Sequence, residues 1–166
     1  MKWIRNKVYL VVKYLNITML FTMFFVVMLQ VITRKILDNP LAWPEEISLI
    51  TMIWISFFGA YQCTVEEVHL KMDFLSNKLS EKGKRNLKVV SNFFVLVFLI
   101  MVVYWAYPFI LQSGSIAMPV SGLPMWIPYG IIWISCILMT IDIVVQILSS
   151  IKQLFTAHRH DGGAQL

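Results

Sequence analysis

Charged side chains are scarce in this sequence of 166 residues. Asp, Glu, Lys and Arg together make up 14% of it, hydrophobic residues make up 58%, and the mean hydropathy is +0.72. Soluble domains carry about 25% charged residues, so a chain this poor in charge could not cover a surface that faces water. The composition therefore excludes a soluble globular domain and predicts an integral membrane protein.

The chain also lacks the residue sets that enzymes and cofactor sites need. Cys63 and Cys136 both lie inside apolar runs, so neither a disulfide framework nor a thiol-disulfide enzyme is indicated. No histidine lies in an apolar run, which excludes a bis-histidine haem site, and the pair of His158 and His160 in the polar tail is a weak sign of a metal site. The sequence has no phosphate-binding loop and no converging Ser-His-Asp or Cys-His set. We therefore predict no enzyme activity, no cofactor and no metal site.

The sequence does contain four long apolar runs, at about 14–33, 46–66, 87–110 and 124–148. Each is long enough to cross a bilayer core of about 30 Å, which takes about 20 helical residues. Only helices suit these runs, because backbone polar groups in lipid must be satisfied within the segment. We predict one membrane domain over residues 1–166, an all-α bundle of four transmembrane helices with a polar tail at 152–166. The first run is too long for a cleaved signal peptide and is expected to remain as the first span.

The positive charges predict the direction of the spans. Twelve lysine and arginine residues fall in the N-terminal segment, the loop between spans two and three, and the tail, whereas the opposite side has only Arg34 and Lys35. This bias predicts that both termini are cytoplasmic, and it explains the net charge of +5 without nucleic acid. The loop after span two has apolar residues at helical spacing, and it is expected to form a short amphipathic helix at the cytoplasmic interface.

The stretch that leads into the second span places two carboxylates at a helix start. Pro44 suits the first helical position, Glu45 and Glu46 suit the positive end of the helix dipole, and Trp43 suits the membrane interface. These features are typical of a well-built helix start. They are equally compatible with contact between the two carboxylates and a basic partner.

The second span has two unlike faces at 100° per residue. Its aromatic face includes Trp54, Phe58 and Tyr61, and we expect it to meet lipid or a second protein. The opposite face has the small residues Ser56, Gly59, Ala60 and Cys63, and we expect it to pack inside the bundle, because small side chains let membrane helices approach closely.

Asp142 is the charged residue that lies in the hydrophobic centre of an apolar run, about two helical turns from the cytoplasmic end. A carboxylate at membrane depth is a functional candidate by default. Lys13 lies at the matching end of span one. An intramembrane pair of Asp142 with Lys13, or contact of Asp142 with cytoplasmic water, is preferred to a role in carrying ions.

The order and spacing of short motifs from Val31 to Leu75 carry a family resemblance. The motifs are Arg34, Asn39–Pro40, Trp43-x-Glu45-Glu46, Trp54, Gly59–Ala60 and His69-x-x-x-Asp73, followed later by the sequence GLPMWIPYGII at 122–132. In these motifs, in length and in four-span layout, the chain resembles the small membrane (Q) subunit of the tripartite ATP-independent periplasmic (TRAP) transporters.

The resemblance implies a role beside partners in the bacterial inner membrane. In that family a large membrane (M) subunit holds the substrate and sodium sites, and a periplasmic binding protein delivers an organic acid, such as sialic acid or a C4-dicarboxylate. The small subunit would act as a scaffold for the static part of an elevator-type transporter. The residues expected to contact these partners are Trp43, Glu45, Glu46, Trp54, Phe58, Tyr61, His69 and Asp73.

Two other functions stay open on the sequence alone. The chain could act by itself as a homo-oligomeric small transporter or channel, and transport without a partner would favour that reading. A membrane redox or lipid-modifying enzyme would require a bound cofactor, for which the sequence offers no ligands.

Overall fold

The computed structural model describes residues 2–38, 41–66 and 81–161 of the chain. Over these residues it consists of four helices and their connections: α1 (Lys2–Lys35), α2 (Trp43–Val65), α3 (Glu81–Ser113) and α4 (Trp126–Asp161). All four are long and apolar enough to cross a membrane, over Arg5–Lys35, Trp43–Val65, Asn86–Ser113 and Trp126–Ile151. The predicted all-α membrane fold with four spans is therefore confirmed.

The first and last helices continue beyond the apolar runs that predict them. Helix α1 begins at Lys2, before the run at 14–33, and α4 continues to Asp161, beyond the run at 124–148. The added segments contain Lys, Arg, Gln and Leu, which are good helix formers. The helices therefore extend out of the hydrocarbon layer.

The helices contact one another mainly in the order α1, α2, α4, α3. Helices α2 and α4 are central, and about a third of their membrane segments is buried, whereas α1 and α3 lie outermost and are almost wholly uncovered. The connection from α1 to α2 has Asp38 in the left-handed backbone region, at φ 47°. Since the four helices alternate in direction, the first and last residues of the described chain lie at one end of the molecule, and the loops before α2 and α4 lie at the other.

A small apolar core joins the four helices. Its fully buried members are Val12, Phe58, Tyr61, Leu99, Cys136, Met139 and Ile143. Lipid tails are as apolar as these side chains, so their burial stabilises the fold through close packing rather than through transfer out of water.

Large apolar side chains cover the outer surfaces of α1 and α3. They include Phe21, Phe25, Phe94, Phe98, Tyr104 and Trp105, each at least 60% exposed. In a membrane this surface meets lipid or another membrane protein.

Candidate functional site

A cluster of polar side chains lies at the end of the molecule where α1 begins. Gln146 donates from Nε2 to Asp142 Oδ2 at 2.8 Å and to the carbonyl oxygen of Thr64 at 2.8 Å. Asn92 donates from Nδ2 to Gln146 Oε1 at 3.5 Å, and Arg5 Nη1 lies 3.6 Å from Asp142 Oδ1. We call these five residues, Arg5, Thr64, Asn92, Asp142 and Gln146, the polar junction.

The polar junction takes one member from α1, α2 and α3 and two from α4. Asn92, Asp142 and Gln146 are at most 3% exposed, while the Arg5 side chain is 37% exposed. Asp142 and Gln146 are four residues apart, so they are neighbours on one face of α4. Unpaired polar groups are costly in lipid, so these contacts favour one relative arrangement of the four helices.

The partner of Asp142 differs from the predicted one. The structure pairs Asp142 with Arg5, and Lys13 is exposed and has no carboxylate within ion-pair distance among the described residues. Arg5 reaches Asp142 because α1 continues as a helix to Lys2, which places an arginine with a long side chain beside Asp142 of α4. The predicted pair of Asp142 and Lys13 is thus corrected to Asp142 and Arg5.

At the opposite end of the molecule, the connection between α3 and α4 forms a short hairpin over residues 114–125. Met118 N–H donates to the carbonyl oxygen of Leu123 at 2.8 Å, and Met125 N–H donates to that of Ile116 at 3.0 Å. Gly122 takes φ +67° in the turn, a conformation that suits glycine. The sequence alone does not predict this hairpin.

Glu46 holds the tip of this hairpin. Its Oε1 accepts from Val120 N–H at 3.0 Å, and its Oε2 accepts from Ser121 N–H at 2.7 Å and from Ser121 Oγ at 2.6 Å. Both oxygens of Glu46 accept hydrogen bonds within the chain, and its predicted contact with a basic partner stays a prediction.

Two neighbouring residues at the start of α2 remain open to partners. Glu45 is exposed on the first turn, and Trp43 is 39% exposed. Pro44 between them is buried at the first turn of the helix. Of the three predicted contact residues in this stretch, Trp43 and Glu45 still have accessible surface.

The aromatic face of α2 packs in the core, which corrects the prediction that it meets lipid or a second protein. Phe58 and Tyr61 are 6% and 3% exposed and belong to the core, and Trp54 is partly buried with its ring 6.4 Å from that of Phe58. Ser56, from the predicted packing face, is exposed. Phe58 and Tyr61 are thus not available to a partner.

The other small residues of α2 are intermediate in burial. A Cβ added at Gly59 would lie 3.7 Å from Asn16 Nδ2 of α1, an ordinary contact distance. Ala60 packs against the core, and Cys63 is partly buried. The neighbouring helix therefore approaches this face without requiring glycine.

The predicted amphipathic helix after span two, with His69 and Asp73, lies outside the described residues. The predicted contacts of His69 and Asp73 with a partner stay predictions.

The chain is similar in sequence to known transporter subunits. Residues 23–153 match the family model described as "Tripartite ATP-independent periplasmic transporters, DctQ component". A Haemophilus influenzae protein named as a TRAP transporter small permease is 30% identical over 142 residues, which cover 85% of this chain and 88% of the relative.

Two further relatives from Haemophilus influenzae are similar over shorter stretches. One is also named as a TRAP transporter small permease and is 27% identical over 111 residues, or 67% of each chain. The other, named sialic acid TRAP transporter permease protein SiaT, is 27% identical over 89 residues, which cover 52% of this chain but 14% of the relative.

Proposed function

The chain belongs to the DctQ family of tripartite ATP-independent periplasmic transporters, and we propose that it supports a large permease subunit as a scaffold in the membrane. Membership makes it a multi-pass protein of the bacterial inner membrane and a transporter subunit rather than an enzyme.

The polar junction is the observation that supports a scaffold most strongly. Asp142, the buried carboxylate of α4, is paired with Arg5 and accepts a hydrogen bond from Gln146, both of the same chain. An ion-carrying carboxylate would instead face a substrate path. Groups that bond between helices favour one arrangement of the bundle, as a scaffold requires.

The third relative supports a large partner. The similar stretch covers 14% of SiaT, so most of that permease lies outside the match. We infer that a chain of this kind works next to a much larger permease. This would explain why a sequence similar to it forms a small part of the longer protein SiaT. Four helices with outer surfaces this apolar can also pack against a second membrane protein.

Substrate and driving force belong to the same proposal. We assign the substrate and sodium sites to the large subunit, and the delivery of the substrate to a periplasmic binding protein. The substrate would be an organic acid, either sialic acid or a C4-dicarboxylate, taken up at the expense of a sodium gradient. The name of SiaT describes that relative alone. The similarity of the chain to SiaT supports sialic acid as the substrate.

The orientation is proposed from the charges. The end with the polar junction would face the cytoplasm, because the N-terminal segment, the loop between α2 and α3 and the first turns of α3 carry most of the lysine and arginine residues. The hairpin end, with Glu45 and Trp43, would then face the periplasm.

Co-purification tests the scaffold role. The chain is tagged and expressed with the large permease of the same transporter, and the complex is extracted in mild detergent and isolated through the tag. We expect the large permease to be retained, and uptake of labelled organic acid by cells to require both proteins. Uptake that is undiminished when the chain is deleted would contradict the proposal. An unrelated four-span protein with the same tag provides the control for retention.

A further inference from the structure

One exposed face of α1 has a regular order of residue types. It runs through Lys13, Ile17, Leu20, Phe24, Val27 and Val31 to Arg34 and Lys35, at alternating steps of four and three residues. Such steps keep side chains on one face of a helix. All of these residues are exposed, so the face, which we call the α1 stripe, is covered by none of the other three helices that the structure describes.

The middle of the α1 stripe forms a shallow groove. Six apolar side chains line it, those of Leu20, Phe21, Met23, Phe24, Val27 and Met28, and its volume is about 600 Å³. The groove therefore suits a hydrocarbon ligand and offers little to a polar one.

The cations at the two ends of the stripe are one bilayer apart. Arg34 follows Lys13 by 21 residues, or about 31 Å at the rise of an α-helix. The hydrocarbon core of a bilayer is about 30 Å thick. Lys13 and the pair of Arg34 and Lys35 can thus each reach a headgroup layer, Lys13 by extending its side chain along the helix.

The charges of the stripe have no protein partner in the part of the chain that the structure describes. Neither Lys13, Arg34 nor Lys35 has a carboxylate within ion-pair distance there. Arg34 and Lys35 lie at the carboxyl end of α1, where the helix carries about half a negative elementary charge. Their two positive charges exceed it, so this end still attracts an anion.

We propose that the α1 stripe binds anionic phospholipids. Lys13 contacts a lipid phosphate in one leaflet, Arg34 and Lys35 contact one in the other, and acyl chains occupy the groove between them. The charge of the ends and the apolar groove together match a phospholipid in both of its parts. The consequence for assembly rests on the proposed function: a face that holds lipid is not where the large permease packs, so the permease contacts the chain elsewhere.

Native mass spectrometry of the purified chain tests the lipid preference. The probes are phosphatidylglycerol and phosphatidylcholine with the same acyl chains. We expect phosphatidylglycerol to be retained more strongly, and Lys13→Gln to weaken its retention about fivefold, the effect of about 1 kcal/mol for each basic residue at an anionic surface. Lys7→Gln is the matched control, since Lys7 stacks on Trp3 at 3.8 Å and lies off the stripe. Equal retention of the two lipids by the unaltered chain would overturn the proposal.

Photo-crosslinking in membranes tests the occupant without changing any charge. A benzoylphenylalanine replaces Phe24 in the groove, and in a second sample it replaces the buried Phe58. In cells that also express the large permease, we expect the probe at Phe24 to form lipid adducts and the probe at Phe58 to crosslink within the chain. An adduct of Phe24 with the large permease would refute the lipid assignment while supporting the scaffold role. If the probe at Phe24 forms lipid adducts but the chain fails to co-purify with the permease, the scaffold role is refuted and the lipid assignment stands.

Discussion

At the scale of the residue, two carboxylates bond the chain to itself at its opposite ends. Asp142 connects α4 to Arg5 of α1 and to Gln146, and Glu46 connects α2 to the hairpin tip at Val120 and Ser121. Both oxygens of Glu46 accept hydrogen bonds, whereas Asp142 Oδ1 has the ion pair with Arg5 but no hydrogen bond among the described residues. Each carboxylate thus has at least one partner group within the chain.

The ion pair predicts different effects for two nearby cations. Arg5→Gln should lower the free energy of unfolding by about 1–2 kcal/mol, because Asp142 would remain buried without a cation. This is less than the loss of about 3–5 kcal/mol for a fully buried pair, since solvent screens the partly exposed Arg5. Reversible unfolding in mixed detergent micelles measures the change.

Lys13→Gln is the control for this measurement. It removes one positive charge from the same helix but no ion pair among the described residues. Its free energy of unfolding should equal that of the unaltered chain. A loss of stability in Lys13→Gln with none in Arg5→Gln would restore the pair that the sequence predicts.

Glu46 predicts protection of the hairpin tip from hydrogen exchange. Glu46→Ala removes the acceptor of Val120 N–H and Ser121 N–H, so both amides should exchange several-fold faster. Glu45→Ala should leave the exchange of these amides unchanged, because the neighbouring carboxylate does not contact the hairpin. Equal rates in the two variants would show that Glu46 does not hold the tip.

Sequence patterns identify Asp142 but not its partner, and the reason is geometric. Arg5 and Lys13 are eight residues apart, so they point about 80° apart around α1. Which of them faces α4 depends on the rotation of α1 about its axis, and this rotation is set by packing. The spacing of Asp142 and Gln146 is the signal in the sequence from which a buried polar pair could have been predicted.

At the scale of the element, the hairpin between α3 and α4 depends on a close approach at Gly114. A Cβ at this position would collide with the carbonyl oxygen of Ile110 and lie 3.0 Å from Trp126 Cβ. The glycine thus permits α3 to end directly against the start of α4.

Two glycines give a matched test of this approach. Gly114→Ala should lower the free energy of unfolding by about 1–3 kcal/mol, the usual effect of forcing atoms into filled space. Gly130→Ala should be neutral or stabilise by up to about 1 kcal/mol, since the nearest atom to its added Cβ is 3.8 Å away and alanine favours a helix interior. Unfolding of the two variants side by side measures the difference, and equal stabilities would contradict the crowding at Gly114.

The buried aromatic face of α2 shows a limit of hydrophobic patterns in membrane proteins. Aromatic and aliphatic side chains are equally soluble in lipid and in a protein core, so apolarity alone does not say which face turns inward. Packing decides it, and here the ring of Phe58 fills the interior while Ser56 faces out.

Burial predicts unequal effects for two phenylalanines. Phe58→Ala should lower the free energy of unfolding by about 2–3 kcal/mol through lost packing, below the usual effect in soluble proteins because no transfer from water is lost. Phe98→Ala, at a side chain that is 65% exposed, should have little effect. The same unfolding measurement compares the two variants. A larger loss of stability in Phe98→Ala than in Phe58→Ala would contradict the assignment of Phe98 to the exposed face of α3.

At the scale of the whole molecule, the four helices form a row whose centre is α2 and α4. The number of spans and the family follow from the sequence, since each rests on long apolar runs or on the order of short motifs. The order of the helices in space does not, because it depends on contacts between residues far apart in the chain, such as Asn92 with Gln146.

This arrangement leaves most of α1 and α3 uncovered by the chain itself. Its buried polar groups hydrogen-bond between helices, which favours a static support over a moving carrier.

Uptake by sealed vesicles tests that claim most directly. The purified chain is reconstituted alone, and in parallel with the large permease and the binding protein, and labelled organic acid is supplied with an inward sodium gradient. We predict accumulation only in the vesicles that contain all three proteins. Accumulation in vesicles that contain the chain alone would contradict the account.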